Sequence, residues 1–553
     1  MPDTLAELVR LRAGDPNLGL RFEDQRWTWA EVEEEMEVRG AFLQSLLTGE
    51  PRHFGVLLDN IPEYLFLLGG AALSATTLAG INTTRRGEEL ARDIRHADCQ
   101  VLVTDSAYAE VLRGLDLGPA TDRVIVVDTP DYAAALEPVR GPGAPRVTGT
   151  PVAEDLLLLI FTSGSTGAPK AVRMTQGRAA RGATNQMGHG PADVLYVTMP
   201  VFHGNALSSM VFPSLTSGAS LVLKRKFSAS GWLPDVREYG CTFSSTIGRA
   251  LAYILGTPPT EHDKDHKLKY ILAPEASTAD MKAFRKRFGV PAFGGYGSSE
   301  NAIILAPKPG QSPEALGVPP EGHRIAVINP DTNEECARAR FDADGRLVNA
   351  DESIGELVGL DAVGRFEGYY NNDEANNART RDGWYWSGDL AYRDDDDVFY
   401  FAGRDADWIR VDGENFAGAP VERVIARFPG VAGVAVFGVP DDRTIDDQVM
   451  AVVELADDAG FDPAAFDEFL AGQRDLGVKW SPRYLRIVPS LPVTGTNKID
   501  KAPLRKARWI QTGHDPVYWR PDRRDPLQPL TDDDRAEILR RFDANGRTGV
   551  LHR

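Results

Sequence analysis

From about Phe54 onward, short runs of consecutive apolar residues alternate with segments of helical length and spacing. Phe54 to Leu58 reads as a strand, Ile61 to Leu73 and Gly87 to Ala97 as helices, and Val101 to Thr104 and Val124 to Val127 as further strands. This alternation predicts an α/β fold with largely parallel sheets, because a strand covered by helices on both faces has no polar side to present. Leu156 to Ile160, apolar at every position, is the clearest strand of that kind, and the Pro/Gly-rich stretch Pro138 to Pro151 before it reads as a surface loop. From Asp155 to roughly Gly403 come strands, glycine turns and most of the polar motifs. From Asp407 the pattern changes to a compact α+β unit: a helix near Pro420, strands Gly433 to Gly438 and Val449 to Leu455, and a helix near Pro463 to Ala471. After about Arg505 a tail rich in Arg, Asp and Pro ends in a helix from Thr531, with Asp532 to Asp534 in the first turn, where carboxylates suit the helix dipole.

A chain of 553 residues exceeds what one core supports, so two or more domains are expected. The uncharged stretch Tyr64 to Ile81 reaches roughly the minimum membrane-spanning length of ~18 residues. Gly69, Gly70, Ser74, Thr76 and Thr77 dilute it, and a buried helix followed by a strand is the expectation. A net charge of −19 makes the surface repel polyanions, which argues against nucleic acid as a partner and requires local basic groups for any anionic substrate. Cys99, Cys241 and Cys336 lie far apart, without metal-ligand spacing, and read as buried hydrophobes in a reducing compartment. Thr4 and Glu7 have capping-box spacing where a signal peptide would be basic, so export is not expected; a cytoplasmic location is, with peripheral membrane contact left open.

The strongest chemical signal follows the strand at Leu156: Phe161-Thr162-Ser163-Gly164-Ser165-Thr166-Gly167-Ala168-Pro169-Lys170. Small residues let backbone N–H groups approach phosphate oxygens, the hydroxyls add donors, and Lys170 adds a cation. The spacing is not that of a Walker loop, and Pro169 blocks the helix such a loop feeds, so a P-loop ATPase is excluded. No GxSxG elbow suggests a side-chain nucleophile.

The loop resembles the TSGSTGxPK signature of the adenylate-forming superfamily, which holds acyl-CoA synthetases, peptide-synthetase adenylation domains and luciferases. Further matches follow in the family's order. Tyr296-Gly297-Ser298-Ser299-Glu300 resembles the YGxTE motif, with Ser299 in place of threonine; Gly355-Glu356-Leu357 matches the GEL turn and Ser387-Gly388-Asp389 the SGD motif. Gly403-Arg404-Asp405-Ala406-Asp407 resembles the GRxxD boundary, with Ala406 where the family's hinge is usually Asp or Lys. Asp412-Gly413-Glu414 matches the GEN segment, and Pro492 to Lys498 resembles the closing motif, with Asn497 in place of glycine.

The resemblance implies a large domain of mixed sheets with helices over 1–403, a hinge at 404–406, a small mobile α+β domain over 407–510 and a tail over 511–553. It assigns ATP phosphates to Thr162, Ser163, Gly164, Ser165, Thr166 and Lys170, with Tyr296 and Ser299 nearby and Glu275, Ala276 and Ser277 on the nucleotide. Magnesium goes to Glu300, ribose to Asp389 and Arg404, and the catalytic cation is Lys498. Gly413 and Glu414 are assigned to coenzyme A. His203, in Pro200-Val201-Phe202-His203-Gly204-Asn205-Ala206, joins Thr246, Gly248 and Gly295 in the acyl pocket. Lys226-Phe227-Ser228-Ala229-Ser230 and the Thr246 to Leu255 segment are similar to the very-long-chain, fatty acid transport protein branch. The activity so implied is ATP-dependent conversion of a fatty or related hydrophobic acid through acyl-AMP to acyl-CoA. Two other readings stay open here: an acyl-AMP ligase that loads a carrier protein, and a lipid uptake protein with vestigial adenylation. Lys224, Arg225 and Lys226 are offered as a patch for the nucleotide end of coenzyme A, with a solvated turn as the equal alternative.

Overall fold

The computed structural model describes residues 2–552 except 163–169, 185–187, 275, 277, 307, 309, 313–314, 344–346, 405–407, 412–413, 443–446, 457–458, 474–475, 477–478, 495–497, 511–512, 514 and 546. By packing, the chain divides into two compact units, residues 1–304 with 363–380 and residues 305–362 with 381–553.

The first unit is built on two seven-stranded sheets. One runs Val124–Val126, Val101–Thr104, His53–Leu57, Thr77–Gly80 and Leu156–Thr162 in parallel, then adds Lys170–Thr175 and Tyr369–Tyr370 antiparallel. The other has Ala292–Phe293, Tyr270–Leu272, Phe243–Ser245, Val194–Val197, Ser220–Leu223 and Leu18–Phe22 in parallel, with Gln25–Thr28 antiparallel at its edge. The apolar runs form these strands because helices cover both faces.

The apolar stretch from Tyr64 is a buried helix, Pro62–Ser74, followed by the strand Thr77–Gly80. Its glycines serve packing: a Cβ on Gly69 would lie 2.2 Å from Met36 Sδ, and one on Gly70 would lie 2.7 Å from Gly40 N. They let this helix press its backbone against the neighbouring helix Trp29–Leu46. No described helix is long and apolar enough to cross a membrane.

The second unit holds an antiparallel sheet, ordered Ala315–Gly317, Phe399–Arg404, Trp384–Arg393, Gly355–Gly359 and Ile325–Ile328, and a five-stranded sheet. The latter runs Val431–Pro440, Asp447–Leu455, Tyr484–Val488, Val517–Trp519 and Gln528–Pro529. Its side chains separate with the two-residue period of a strand. Val434, Val436, Val449 and Val453 pack under the helices Gly418–Ile425 and Pro463–Ala471; Ala435, Phe437, Met450 and Val452 pack on the opposite face.

That opposite face corrects one expectation. The segment after residue 510 is not a tail: it supplies the last two strands and the helix Asp532–Ala544, whose Ile538 and Phe542 are fully buried with Trp509. Its high content of Arg and Asp hid a sparse set of well-placed apolar residues, and the strands are too short to show a period. Thr531 caps the helix through a full capping box with Asp534.

Candidate active site

In the first unit the candidate residues gather where strands end. The strand Leu156–Thr162 runs into the phosphate loop, and Lys170 opens the antiparallel strand beside it, paired with Thr162. Ser163, Gly164, Ser165 and Thr166 lie outside the described residues, as do Glu275 and Ser277. Glu300 is buried, and its Oε1 accepts the Tyr369 hydroxyl at 2.6 Å. Arg379 Nε donates to the same hydroxyl oxygen at 3.3 Å, and Lys170 Nζ stands 5.9 Å from the centre of the Tyr369 ring. Burial pulls the Lys170 ammonium below the ordinary lysine range and Arg379 adds to this, while Glu300 partly offsets it. Arg178 donates to the Ser299 carbonyl, and Arg365 Nε to the Ala302 carbonyl at 3.1 Å, so the backbone on both sides of Glu300 is anchored. A nucleotide phosphate with a hard cation suits this mixture of cations and one buried carboxylate.

The residues expected to line an acyl pocket follow the carboxyl ends of the second sheet's parallel strands, the place where open α/β sheets bind ligands. His203 precedes a short helical segment after Val194–Val197, its ring 4.6 Å from that of Phe202. Thr246 follows Phe243–Ser245, is buried, and donates its N–H to the Leu272 carbonyl at 2.8 Å. Gly248 opens the next helix, its N–H on the Pro274 carbonyl at 2.9 Å. Asn205 Oδ1 accepts the Ser245 hydroxyl at 3.1 Å, tying the His203 segment to the strand end before Thr246. Gly295 follows Ala292–Phe293, and Ala276 closes a turn onto the Ala273 carbonyl at 3.2 Å. Tyr296 lies just beyond Gly295, partly buried.

The cations of the expected basic patch each have a carboxylate beside them. Lys224 is 3.0 Å from Asp235, Arg225 3.7 Å from Glu23 and Lys226 3.3 Å from Asp59, so each cation already faces a carboxylate.

In the second unit, Asp389 lies on Trp384–Arg393 directly opposite Arg404 on Phe399–Arg404. The bulged stretch of the strand ahead of it is fixed by two side chains. The Ser387 hydroxyl donates to the Leu357 carbonyl at 2.6 Å and accepts the Asp389 N–H at 3.1 Å. The buried Glu356 carboxylate accepts the Gly388 N–H at 2.7 Å, where Gly388 takes a φ of +70°. The GEL residues are therefore the start of the strand Gly355–Gly359 rather than a turn, and their glutamate braces the SGD segment. Asp394 to Asp397 joins two antiparallel strands as a hairpin tip. Lys498 is partly buried at the close of a loop in which Thr494 N–H meets the Lys498 carbonyl at 2.8 Å and Thr494 Oγ1 accepts the Lys498 N–H at 3.2 Å. Asn497, Gly413 and Ala406, the expected hinge residue, lie outside the described residues, as do the side chains of Arg404 and Glu414.

The sequence matches the family model for AMP-binding enzymes over residues 10–370, and the model for their C-terminal domain over residues 420–498. The chain belongs to the AMP-binding enzyme family. Among its relatives, a steroid-22-oyl-CoA synthetase of Rhodococcus jostii is 48% identical over 99% of each chain. A medium/long-chain-fatty-acid–CoA ligase, FadD17 of Mycobacterium marinum, is 39% identical over 94% of this chain and 98% of that one. The fold is that of AMP-binding enzymes: ATP-bound MatB from Rhodopseudomonas palustris superposes with a TM-score of 0.78 over 92% of this chain and 99% of its own, at 22% identity. As a member of this family with such relatives along its whole length, the chain is an acyl-CoA synthetase, an ATP-dependent acid–thiol ligase.

Sequence reasoning missed Tyr369, Arg379 and Arg178 in this AMP-binding enzyme. Tyr369 lies in a two-residue strand, too short to carry a period, and each of the three reaches the site only through tertiary packing.

Proposed function

We propose that this enzyme activates a bulky hydrophobic carboxylic acid, with a steroid side-chain acid ranked ahead of a straight-chain fatty acid. The ranking follows the relatives, 48% identity to the steroid-22-oyl synthetase against 39% to the fatty-acid ligase. The observation that carries the chemistry is the cluster of Lys170, Tyr369 and Glu300 at the end of the phosphate-loop strands.

In this reading the triphosphate lies along Thr162, Ser163, Gly164, Ser165 and Thr166 with Lys170 on its outer phosphates, and the ribose hydroxyls bond Asp389 and Arg404. Glu300 fits a magnesium ion delivered with ATP, because one carboxylate oxygen is committed to Tyr369 and the other accepts from no described group. Bound there, the ion would neutralise phosphate charge. The substrate carboxylate attacks the α-phosphorus in line and pyrophosphate leaves. Lys498 counters charge that builds between carboxylate and phosphate, an interaction strongest in the transition state, worth roughly 100- to 1,000-fold in rate. Rotation about Ala406 then withdraws Lys498 and brings Gly413 and Glu414 to the thiol of coenzyme A, whose sulfur displaces AMP. His203, Thr246, Gly248 and Gly295 line the acyl group.

The test is to incubate the purified protein with Mg-ATP and a panel of straight-chain and steroid acids, with and without coenzyme A, and identify products by mass spectrometry. Acyl-CoA only when coenzyme A is present, formed fastest from a steroid acid, is the expected result. Acyl-AMP that accumulates regardless of coenzyme A overturns the acceptor, and a preference for short acids overturns the substrate class.

A further inference from the structure

We infer that Tyr369 is a positioning residue that holds Lys170 and Glu300 apart, so that the ammonium stays available to phosphate and the carboxylate to the metal ion. The inference rests on the adenylating activity proposed above.

Lys170 and Glu300 carry opposite charges in one partly desolvated place, where mutual attraction exceeds its value in water. Left to themselves they would collapse into an ion pair, and a paired site would have to be broken before Mg-ATP could enter. Among the described contacts they do not pair, and the Lys170 ammonium stands over the face of the Tyr369 ring, 5.9 Å from its centre. The Tyr369 hydroxyl occupies Glu300 Oε1 at 2.6 Å. An ionised carboxylate only accepts, so in this bond the phenol is the donor. Arg379, donating to the same oxygen at 3.3 Å, fixes the direction of that hydroxyl.

The ring itself is immobilised. Asn376 clamps the Tyr369 backbone from both sides, Oδ1 accepting its N–H at 2.6 Å and Nδ2 donating to its carbonyl at 3.1 Å. Gly368 adopts a φ of +84°, and a Cβ there would lie 3.2 Å from Asn376 Oδ1, so the turn into Tyr369 suits glycine. Phe366 packs edge-on against the ring at 5.3 Å.

Two variants separate the hydroxyl from the ring. Tyr369→Phe keeps the ring beneath Lys170 and releases Glu300; Tyr369→Leu removes both. Affinity for Mn2+ as a paramagnetic probe is read by water-proton relaxation, with a non-hydrolysable ATP analogue bound. ATP–pyrophosphate exchange is measured in parallel as a function of Mg2+ concentration. The Phe variant should bind Mn2+ about tenfold more weakly and need about tenfold more Mg2+ for half-maximal exchange, while its maximal rate recovers at high Mg2+. The Leu variant should add a rise of about tenfold in the KM for ATP. A purely structural tyrosine would lower exchange equally at every Mg2+ concentration and leave Mn2+ affinity unchanged; that outcome in the Phe variant overturns the inference. A Leu variant that matches the Phe variant in both readouts overturns the spacer role of the ring. Absence of exchange in the native protein with every acid sinks the proposed function instead, and the Mn2+ affinities still decide the inference.

Discussion

Ending the chain at Ile510 removes the strands Val517–Trp519 and Gln528–Pro529 and the helix Asp532–Ala544. Val517, Trp519, Leu527, Leu530, Ile538 and Phe542 are each at most 6% exposed, and all six would be lost from the core of the second unit. At about 1.5–3 kcal/mol per buried side chain the loss is on the order of 10 kcal/mol, an upper-bound figure that still matches the whole stability of a typical domain, about 5–15 kcal/mol. The truncation also uncovers Trp509, Tyr484 and Phe437 on the opposite side of that packing. It strands Asp467, which accepts the Leu527 N–H at 2.8 Å and pairs with Arg520. The truncated and full-length proteins would be compared by thermal melting, near-UV circular dichroism and limited proteolysis. The expected result is loss of the second unit's cooperative transition, rapid cleavage after residue 305, and no acyl-CoA formation. Phe542→Ala, a milder version, should cost about 3–5 kcal/mol. A chain ending at Ile510 that melts within about 3 °C of the full protein and still makes thioester would refute the reasoning, since a loss of 1 kcal/mol alone shifts the midpoint by about 2–4 °C in a domain of this size.

Lys498→Ala should lower adenylate formation by roughly 100- to 1,000-fold while sparing transfer from supplied acyl-AMP to coenzyme A; single-turnover assays of the two half-reactions check this, and equal loss of both would end the division of labour. Glu356→Ala leaves the Gly388 N–H without its acceptor, a penalty of about 1–3 kcal/mol, and loosens the strand bulge beside Asp389. Its KM for ATP should rise about tenfold with kcat within about threefold, as steady-state kinetics would show; a fall in kcat alone contradicts the bracing role. Because burial lowers the Lys170 pKa, the charged form that meets phosphate is lost at lower pH than for an ordinary lysine. The native KM for ATP should therefore climb as pH rises on the alkaline side, whereas Lys170→Arg, which stays charged, keeps it flat; identical pH profiles would remove Lys170 as the cause.

Much of this enzyme was legible because its information is local. A strand buried on both faces shows itself as a continuous apolar run, so the expected strand at Val101 to Thr104 and the helix at Pro463 to Ala471 coincide with the observed ones. Glycine, hydroxyl and lysine in the order Thr162 to Lys170 carry phosphate chemistry in sequence, since a loop binds through consecutive backbone N–H groups. Other features belong to pairs of distant residues. Gly69 and Gly70 diluted a hydrophobic stretch in the sequence; in the fold they are where two helices touch. The cations at Lys224 to Lys226 formed a patch on paper; in the fold Asp235, Glu23 and Asp59 stand beside them from three separate places in the chain.

By itself, then, the sequence determined the α/β class, the order of the motifs and the residue types proposed to meet ATP, all of which depend on neighbours within a few positions. The tertiary structure alone decided that the segment after residue 510 completes a sheet, that Glu356 braces the strand bulge before Asp389, and that Tyr369 touches both Lys170 and Glu300. Each of these is a contact across tens to hundreds of residues, and the energy of such a contact exists only once packing has brought the partners together and excluded water from between them.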